Sequence, residues 1–300
     1  MRTAAADVGA STAPRAVSGG RMDPAVAIRE LLFPSDLSDE ADRAFEQARF
    51  LARHFKAHLT VYHAVEVPDP SYAHWAFNRG REIWNHVEET ARQLLCRKAE
   101  PGADCRVVVE RASSAHHALL HFIKETQPDL TVMATHGRQG LSHFLLGSVT
   151  ESVFRHSFRP VLCVREPAHG AQLPYRKILV PTDLSLASRL AFPLAAYIAR
   201  SFGAEVIAVH VTGASSAPHP GEVPTEAWLW KFFQTDFQGL EVTAQLHAGP
   251  VWERIVEVAR VEKADLVVMS TRGHDSLTDR MIGSNTERVV RHANCPVLVA

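Results

Sequence analysis

The chain has 300 residues, of which 46% are hydrophobic and 22% charged, as is typical of a soluble globular protein. Lysine and arginine number 32 and aspartate and glutamate 33, so the net charge is near zero and predicts no general attraction to nucleic acid or to an anionic membrane. No stretch approaches ~20 uninterrupted apolar residues, so we expect no membrane-spanning helix. The cysteines form no C-x-x-C pair, which indicates neither a metal nor a redox framework and favours a reduced, cytoplasmic protein; they are Cys96, Cys105, Cys163 and Cys295.

Residues 1–26 are rich in Ala, Gly and Ser and predict a flexible tail, unless translation starts at Met22. Apolar runs and helical spacing then predict alternating strands and helices in chain order. In the first half the predicted strands are 28–33, 59–65, 105–109, 130–134 and 160–164, and the predicted helices are 39–55, 75–98, 114–125 and 148–157. In the second half the predicted strands are 178–181, 205–211, 242–247, 266–270 and 296–299, and the predicted helices are 187–202, 225–238, 250–262 and 285–293. The continuous Val/Ile/Leu runs indicate buried parallel strands with right-handed crossovers.

The two halves are an internal duplication. Residues 31–65 align without a gap to 178–212, with 13 of 35 positions identical, and residues 129–164 align to 265–300, with 17 of 36 identical. The offset between the copies falls from 147 to 136, so the first copy carries 11 extra residues in its middle. The duplication predicts two α/β domains, 27–166 and 176–300, joined by a linker at 167–175.

The loop after the fourth strand of each copy has the same glycine spacing. It reads Thr135-His136-Gly137, nine residues, then Gly147-Ser148, and in the second copy Thr271-Arg272-Gly273, nine residues, then Gly283-Ser284. Glycine lets a ligand approach the backbone, and the free N–H groups of a following helix suit a phosphate. The alternative is structural, with glycine in a turn and serine as the helix N-cap. No lysine follows the last glycine and no G-x-G-x-x-G follows strand one, which excludes a Walker loop and a dinucleotide fingerprint.

These motifs resemble those of the universal stress protein family, whose hallmark is G-x2-G-x9-G followed by Ser or Thr. The Pro-x-Asp-x-Ser after strand one is also similar, at residues 34–38 and 181–185. Both copies depart from the hallmark at its first glycine, where they have Ala134 and Ser270. The resemblance implies two tandem Rossmann-like (adenine nucleotide alpha hydrolase-like) domains, each a five-stranded parallel sheet of order 3-2-1-4-5 flanked by helices.

The resemblance also implies a site for ATP, with Mg²⁺, in each copy. The residues it places there in the first copy are Pro34, Asp36, Ala64, Met133, Ala134, Gly137, Arg138, Gly147, Ser148 and Val149. Those in the second copy are Pro181, Asp183, Val211, Met269, Ser270, Gly273, Gly283, Ser284 and Asn285. The second loop carries Asp275 and Asp279, and because acids repel a triphosphate we expect the first copy to bind ATP better.

Three functions remain open on the sequence. The first is a cytoplasmic, nucleotide-dependent stress-response switch or adaptor for an unidentified protein partner. The second is a nucleotide-free interaction scaffold, which the missing first glycines favour, and the third is an enzyme with at most slow ATP hydrolysis. The resemblance further implies pairing of the two domains through strand five, at 161–164 and 297–299, and allows a homodimer. No catalytic nucleophile–base pair and no metal site of the protein itself is predicted.

Two other groups of residues have competing interpretations. His63 and His210 end equivalent strands, and a hydrogen-bonded structural role is favoured over ligand contact. Aromatic residues gather on the second helix of each copy, where packing is favoured over a binding platform; they are Trp75, Phe77, Trp84, Trp228, Trp230, Phe232 and Phe233.

Overall fold

The computed structural model describes residues 15–16, 26–67, 77–99, 104–135, 146–165, 173–213, 225–271 and 283–300. The chain divides into two compact units, one of Ala27–Glu166 and the other of Pro167–Ala300 together with Met1–Val26. No helix among the described residues is long and apolar enough to cross a membrane.

The unit formed by the first copy is a five-stranded parallel sheet with helices between the strands. Strand β1, Arg15–Ala16, precedes it in the chain and belongs to the other unit. The elements of the first copy are β2 (Glu30–Pro34), α1 (Asp39–Phe55), β3 (His58–Glu66), α2 (Phe77–Lys98), β4 (Cys105–Ala112), α3 (Ala115–Thr126), β5 (Leu130–Ala134), α4 (Ser148–His156) and β6 (Val161–Val164). The strands lie in the order β4-β3-β2-β5-β6, which is the predicted order 3-2-1-4-5.

The second copy repeats this architecture. Its elements are β7 (Lys177–Thr182), α5 (Phe192–Phe202), β8 (Glu205–Thr212), α6 (Glu226–Phe233), β9 (Glu241–Ala248), α7 (Val251–Val261), β10 (Leu266–Met269), α8 (Ser284–His292) and β11 (Val297–Val299). The parallel strands lie in the order β9-β8-β7-β10-β11. Strand β1 pairs antiparallel with the outer side of β9, Arg15 opposite Val242.

Helix α1 illustrates how the local sequence sets an element. The Ser38 hydroxyl accepts a hydrogen bond from the Ala41 amide and caps the first turn, where Asp39 also suits the positive end of the helix dipole. Lys56 ends the helix in the left-handed conformation, with φ of 54°. The face that contains Phe45 is buried against the sheet. Helix α1 has the bounds that its periodicity predicts.

One aspartate in each copy fixes the start of the central strand. Oδ2 of Asp129 accepts hydrogen bonds from the amides of Arg29 (2.9 Å) and Glu30 (3.0 Å). Asp265 accepts in the same way from the amides of residues 176 (2.7 Å) and 177 (2.9 Å). In each copy the two strands that flank the candidate site are therefore held together at their starts. These strands are β2 and β5 in the first copy and β7 and β10 in the second.

Two predicted helices of the second copy are shorter than expected. The segment before α5 is a 3-10 turn, Ser188–Ala191, because Pro193 has no N–H to continue the α-helical pattern. Helix α6 ends at Phe233 instead of residue 238 and is followed by turns that contain Gly239, with φ of 78°. The extra length of the first copy lies mainly in α2, which has 22 residues against 8 in α6.

The aromatic residues of α6 divide between core and surface. Phe233 is fully buried and stacks on Phe192 at 4.4 Å between ring centroids, with Phe237 beside both. Trp228 is 49% exposed and stacks on Phe232 at 6.1 Å. Packing is therefore the role of Phe233. Of the aromatic residues predicted on α2, Trp75 and the side chain of Phe77 lie outside the described residues.

Candidate functional site

The candidate site of each copy lies where the chain leaves the two central strands in opposite directions. In the first copy β2 is followed outward by β3 and β4, whereas β5 is followed by β6 on the other side. In parallel sheets a crevice opens at such a switch point, beyond the carboxyl ends of the strands, and ligands bind there. The turn after β2 and the start of α4 both lie at this end.

The turn after the first strand has the same hydrogen bonds in both copies. Oδ1 of Asp36 accepts from the amide (3.1 Å) and the hydroxyl (2.6 Å) of Ser38. Oδ1 of Asp183 accepts from the amide (3.0 Å) and the hydroxyl (2.6 Å) of Ser185. The residues between them, Leu37 and Leu184, have φ of 65° and 68°.

This left-handed conformation is unusual for leucine. The hydroxyls of Ser35 and Thr182 stabilise it by accepting from the leucine amides, at 3.1 and 2.9 Å. Each aspartate therefore shapes the turn with one carboxylate oxygen. The adenine and ribose role that the resemblance gives to Asp36 and Asp183 stays a prediction.

The histidines at the end of the second strand hold the same turn. Nδ1 of His63 donates to the carbonyl oxygen of Ser35 (2.7 Å), and Nδ1 of His210 donates to that of Thr182 (2.9 Å). Both imidazoles are half-buried. These contacts confirm a hydrogen-bonded structural role for the two residues.

The second element of each site is the start of a short helix. The Gly147 amide donates to the carbonyl of Thr135 (2.8 Å) and the Gly283 amide donates to that of Thr271 (3.0 Å). Gly147 and Gly283 are the N-caps. The interpretation of the serines as N-caps is wrong, because Ser148 lies at the first helical position.

Ser284 occupies the same first position in α8, and both serine residues are exposed. Because a glycine cap has no side chain, it cannot accept from the first amides of the helix. The first amides of α4 and α8 therefore lie beside an exposed hydroxyl at the switch point. This combination can bind an anion.

Threonine at the third helical position was not predicted as part of the site. The Thr150 hydroxyl donates to the carbonyl of Ala134 (2.9 Å), and the Thr286 hydroxyl donates to that of Ser270 (3.1 Å). Both threonines are buried, at 6% and 5% exposure. They tie the helix start to the end of β5 or β10. The signal in the sequence is that threonine follows the glycine by three residues in both copies.

Packing against the described residues does not require glycine at position 283. Gly283 has φ of −60°, which any residue adopts, and a Cβ there would meet the carbonyl oxygen of Thr271 and the hydroxyl oxygen of Thr286 at 3.8 Å, an ordinary contact distance. Gly147 has an equally ordinary φ of −58°. The geometry therefore fits a group that approaches the backbone from outside, such as a phosphate.

The acidic residue in the first turn of each of these helices forms an ion pair. The acids in the first turns, Glu151 and Glu287, pair with Arg155 (3.1 Å) and Arg291 (2.8 Å) one helical turn later. The described residues contain no group of three or more His, Cys, Asp or Glu that could hold a metal ion.

The remaining predicted residues surround the same end of each sheet. In the first copy Pro34 ends β2, Met133 and Ala134 end β5, Ala64 lies near the end of β3, and Val149 follows Ser148 in α4. In the second copy the corresponding positions are Pro181 in β7, Met269 at the end of β10, Ser270 just after it, Val211 in β8 and Asn285 in α8. Gly137, Arg138 and Gly273 lie outside the described residues, as do Asp275 and Asp279.

The fold and the paired switch-point sites define a tandem Rossmann-like protein with two related candidate anion sites. The sequence model of the universal stress protein family matches residues 27–165 and 174–300. The chain belongs to the universal stress protein family.

Relatives with one and with two such domains are similar to this chain. A universal stress protein of Methanocaldococcus jannaschii is 35% identical over 140 residues, which cover 42% of this chain and 81% of the relative. One of Mycolicibacterium smegmatis is 28% identical over 298 residues, or 90% of this chain and 96% of the relative. A solved universal stress protein from Archaeoglobus fulgidus has a TM-score of 0.68 and 21% identity, with 90% of this chain and 97% of that chain covered. This last similarity supports the fold.

Proposed function

We propose that this protein binds ATP, with Mg²⁺, at the switch point of at least one domain and that the nucleotide changes what a protein partner recognises. The observation that carries the proposal is the glycine-capped helix start with an exposed serine, present at the same place in both copies. Helix amides and a hydroxyl are neutral donors, which favours moderate and reversible binding. Reversible binding suits a switch.

Different residues of each site have different roles in nucleotide binding. The first amides of α4 or α8 and the hydroxyl of Ser148 or Ser284 donate to phosphate oxygens. Thr150 and Thr286 position that helix start without touching the ligand. The turn held by Asp36 or Asp183 lies at the adjoining strand end and, as the resemblance implies, meets the adenine and ribose. Bound Mg²⁺ would neutralise phosphate charge.

The two sites are expected to differ in affinity. Arg138 lies in the loop of the first copy, whereas Asp275 and Asp279 lie in that of the second. Acidic side chains repel a triphosphate, so the first copy is the stronger binder.

Nucleotide content is the first measurement. The purified chain is heat-denatured, and released adenine nucleotide is identified by chromatography with its stoichiometry. Isothermal calorimetry with MgATP follows on the wild type and on the matched variants Gly137→Val and Gly273→Val. One site per chain that is lost in Gly137→Val and kept in Gly273→Val supports the proposal, and the reverse pattern contradicts the predicted asymmetry. Released ADP would point to slow hydrolysis.

A nucleotide-free scaffold is the second candidate function. Ala134 and Ser270 replace the first glycine of the hallmark, and the second copy also exposes apolar side chains beside its site. Leu186 is 79% and Leu190 66% exposed, where the aligned residues of the first copy are Asp39 and Arg43. No released nucleotide, together with no uptake at millimolar MgATP, would favour this function.

A further inference from the structure

Two of the four cysteines lie at neighbouring ends of α2 and β4. Cys96 is on the last turn of α2 and is exposed, while Cys105 is the first residue of β4 and is half-buried. The other two, Cys163 and Cys295, are buried in or beside the strands β6 and β11. The spacing of Cys96 and Cys105 is not that of a C-x-x-C motif, which is why the sequence indicated no redox pair.

Helix α2 packs against β4, and because it connects the parallel strands β3 and β4 it must run antiparallel to them. Arg111, near the end of β4, contacts Glu88 (3.0 Å) and Asn85 (2.5 Å), which lie near the middle of α2. The end of α2 must therefore return to the start of β4. Leu95, next to Cys96, is 2% exposed and faces the protein interior.

Cys105 sits in an environment that disfavours its thiolate. Burial raises the pKa of the Cys105 thiol, and negative charge on Cys96 and then Asp104 raises it further. Asp104 itself is held by His58, with 2.6 Å between the carboxylate oxygen and Nδ1. The start of β4 is thereby fixed beside the start of β3, with Cys105 opposite Leu59 in the ladder.

We propose that Cys96 and Cys105 form a reversible intramolecular disulfide when the protein meets a hydroperoxide. The exposed Cys96 thiolate attacks hydrogen peroxide, so an S–O bond forms, the O–O bond breaks, and a sulfenic acid and hydroxide result. The Cys105 thiol then attacks the Cys96 sulfur, and the S–S bond forms as water leaves. In total two thiols lose two electrons and two protons, and one peroxide becomes two waters.

The pair is confined to the first copy. Helix α6 and strand β9, which correspond to α2 and β4, contain no cysteine. The disulfide therefore pins the long helix of the first domain to its sheet and leaves the second domain unchanged. This inference does not depend on nucleotide binding.

Mass spectrometry of the intact chain tests the proposal. The protein is treated with hydrogen peroxide, alkylated in denaturant and digested with trypsin. Arg97 and Lys98 lie between the two cysteines, so only a disulfide joins their peptides. We expect wild type to lose two alkylatable thiols, to yield the Cys96–Cys105 peptide pair and to recover both thiols with dithiothreitol.

Matched variants distinguish the alternatives. Cys163→Ser is the control and should form the disulfide as wild type does, whereas Cys96→Ser should form none. Cys105→Ser should stop at a sulfenic acid on Cys96 that dimedone traps. The proposal is overturned if wild type instead accumulates sulfenic or sulfonic acid on Cys96, links only between chains through Cys96 on a non-reducing gel, or keeps all its thiols.

Discussion

At the scale of residues, hydroxyl groups connect the elements that meet at the candidate site. Thr150 and Thr286 are both buried. The Thr150 hydroxyl donates to Ala134, the last residue of β5, and the Thr286 hydroxyl donates to Ser270, the residue just after β10. A buried carbonyl that loses its donor costs more than the average hydrogen bond contributes. These two contacts should therefore matter for both stability and binding.

Replacing Thr150 with valine tests this contact. Thr150→Val keeps the shape of the side chain but leaves the Ala134 carbonyl without its donor, so we expect the free energy of unfolding to fall by about 1–3 kcal/mol. Thr150→Ser keeps the hydroxyl, so its free energy of unfolding should fall less than that of Thr150→Val. Equilibrium urea unfolding measures both. Equal losses in the two variants would show that the methyl group, not the hydrogen bond, matters.

At the residue scale, His247 is expected to make the stability of the second domain depend on pH. Burial lowers the pKa of His247, the positive charge of Arg254 lowers it further, and Glu257 and Glu262 act in the opposite direction. Its Nε2 lies 3.0 Å from the side-chain oxygen of Gln245, and the side-chain nitrogen of Gln245 donates to Glu262 (2.8 Å). The protonated imidazole is therefore disfavoured in the folded state.

Stability should fall in acid for this reason. The unfolded chain takes up a proton at His247 near pH ~6.5, whereas the folded domain resists it, so stability is lost as the pH falls below about 6.5. His247→Gln should lose less stability than wild type between about pH 7.5 and about pH 5.5. Urea unfolding at the two pH values gives the comparison. If His247→Gln and wild type lose the same stability between the two pH values, the acid sensitivity belongs to other groups.

At the scale of elements, α6 is attached to its sheet through aromatic packing. Phe233 is fully buried against Phe192 and Phe237, whereas Trp228 on the other side of α6 is half-exposed. A short helix of eight residues has little intrinsic stability, so tertiary packing must hold it in place. The two aromatic residues therefore differ in their importance for the fold.

Alanine substitutions measure that difference. Phe233→Ala removes a fully buried ring and should cost about 3–5 kcal/mol of unfolding free energy. Trp228→Ala removes a half-exposed ring and should cost about 1 kcal/mol or less. The midpoint of thermal unfolding, followed by circular dichroism, gives the order of the two variants. A larger loss for Trp228→Ala would contradict the assignment of Phe233 as the anchor.

The sequence predicts an element best when the hydrophobic pattern of that element alone decides where it begins and ends. Helix α1 and strand β5 begin and end where the periodicity places them. The start of α5 and the end of α6 differ, because a missing N–H and a turn at Gly239 decide them. Helix α3 begins at Ala115, one residue later than predicted, and the hydroxyl of Ser114 contacts His116 (2.8 Å) and does not cap the helix.

The candidate site is predictable in part. The duplicated glycine spacing places the start of α4 and of α8 correctly, at Gly147 and Gly283. The bonds of Thr150 and Thr286 could not be predicted, because their acceptors lie on another element, 16 residues earlier in the chain. The hydrogen bonds from Ser38 to one carboxylate oxygen of Asp36 could not be predicted either, because they depend on the folded backbone of the turn.

At the scale of the whole molecule, each copy contains a complete sheet and its own core. We expect the fragment 27–166 to fold by itself, because β2 to β6 and the helices between them all lie within it. Circular dichroism and cooperative thermal unfolding of the fragment would show this. A fragment without a cooperative transition would mean that the first domain depends on the rest of the chain.

The same fragment addresses the pairing of domains through strand five that the family resemblance implies. If strand five of one domain seeks that of another, fragment 27–166 should sediment as a dimer in the ultracentrifuge. A fragment that folds but stays monomeric at high concentration would argue against such pairing.

The strand order has a consequence for how each domain forms during synthesis. Strand β2 finds β3 after a short loop, since Leu31 lies opposite Leu59, but its other neighbour is β5, where Leu31 lies opposite Leu130. Contacts so distant in the chain form late, because a long loop must close first. The crevice between β2 and β5 is therefore among the last features to assemble. Under the proposed function, a ribosome-bound copy would capture nucleotide only after its fourth helix has emerged, so nucleotide capture would report that the central strands of the domain have paired.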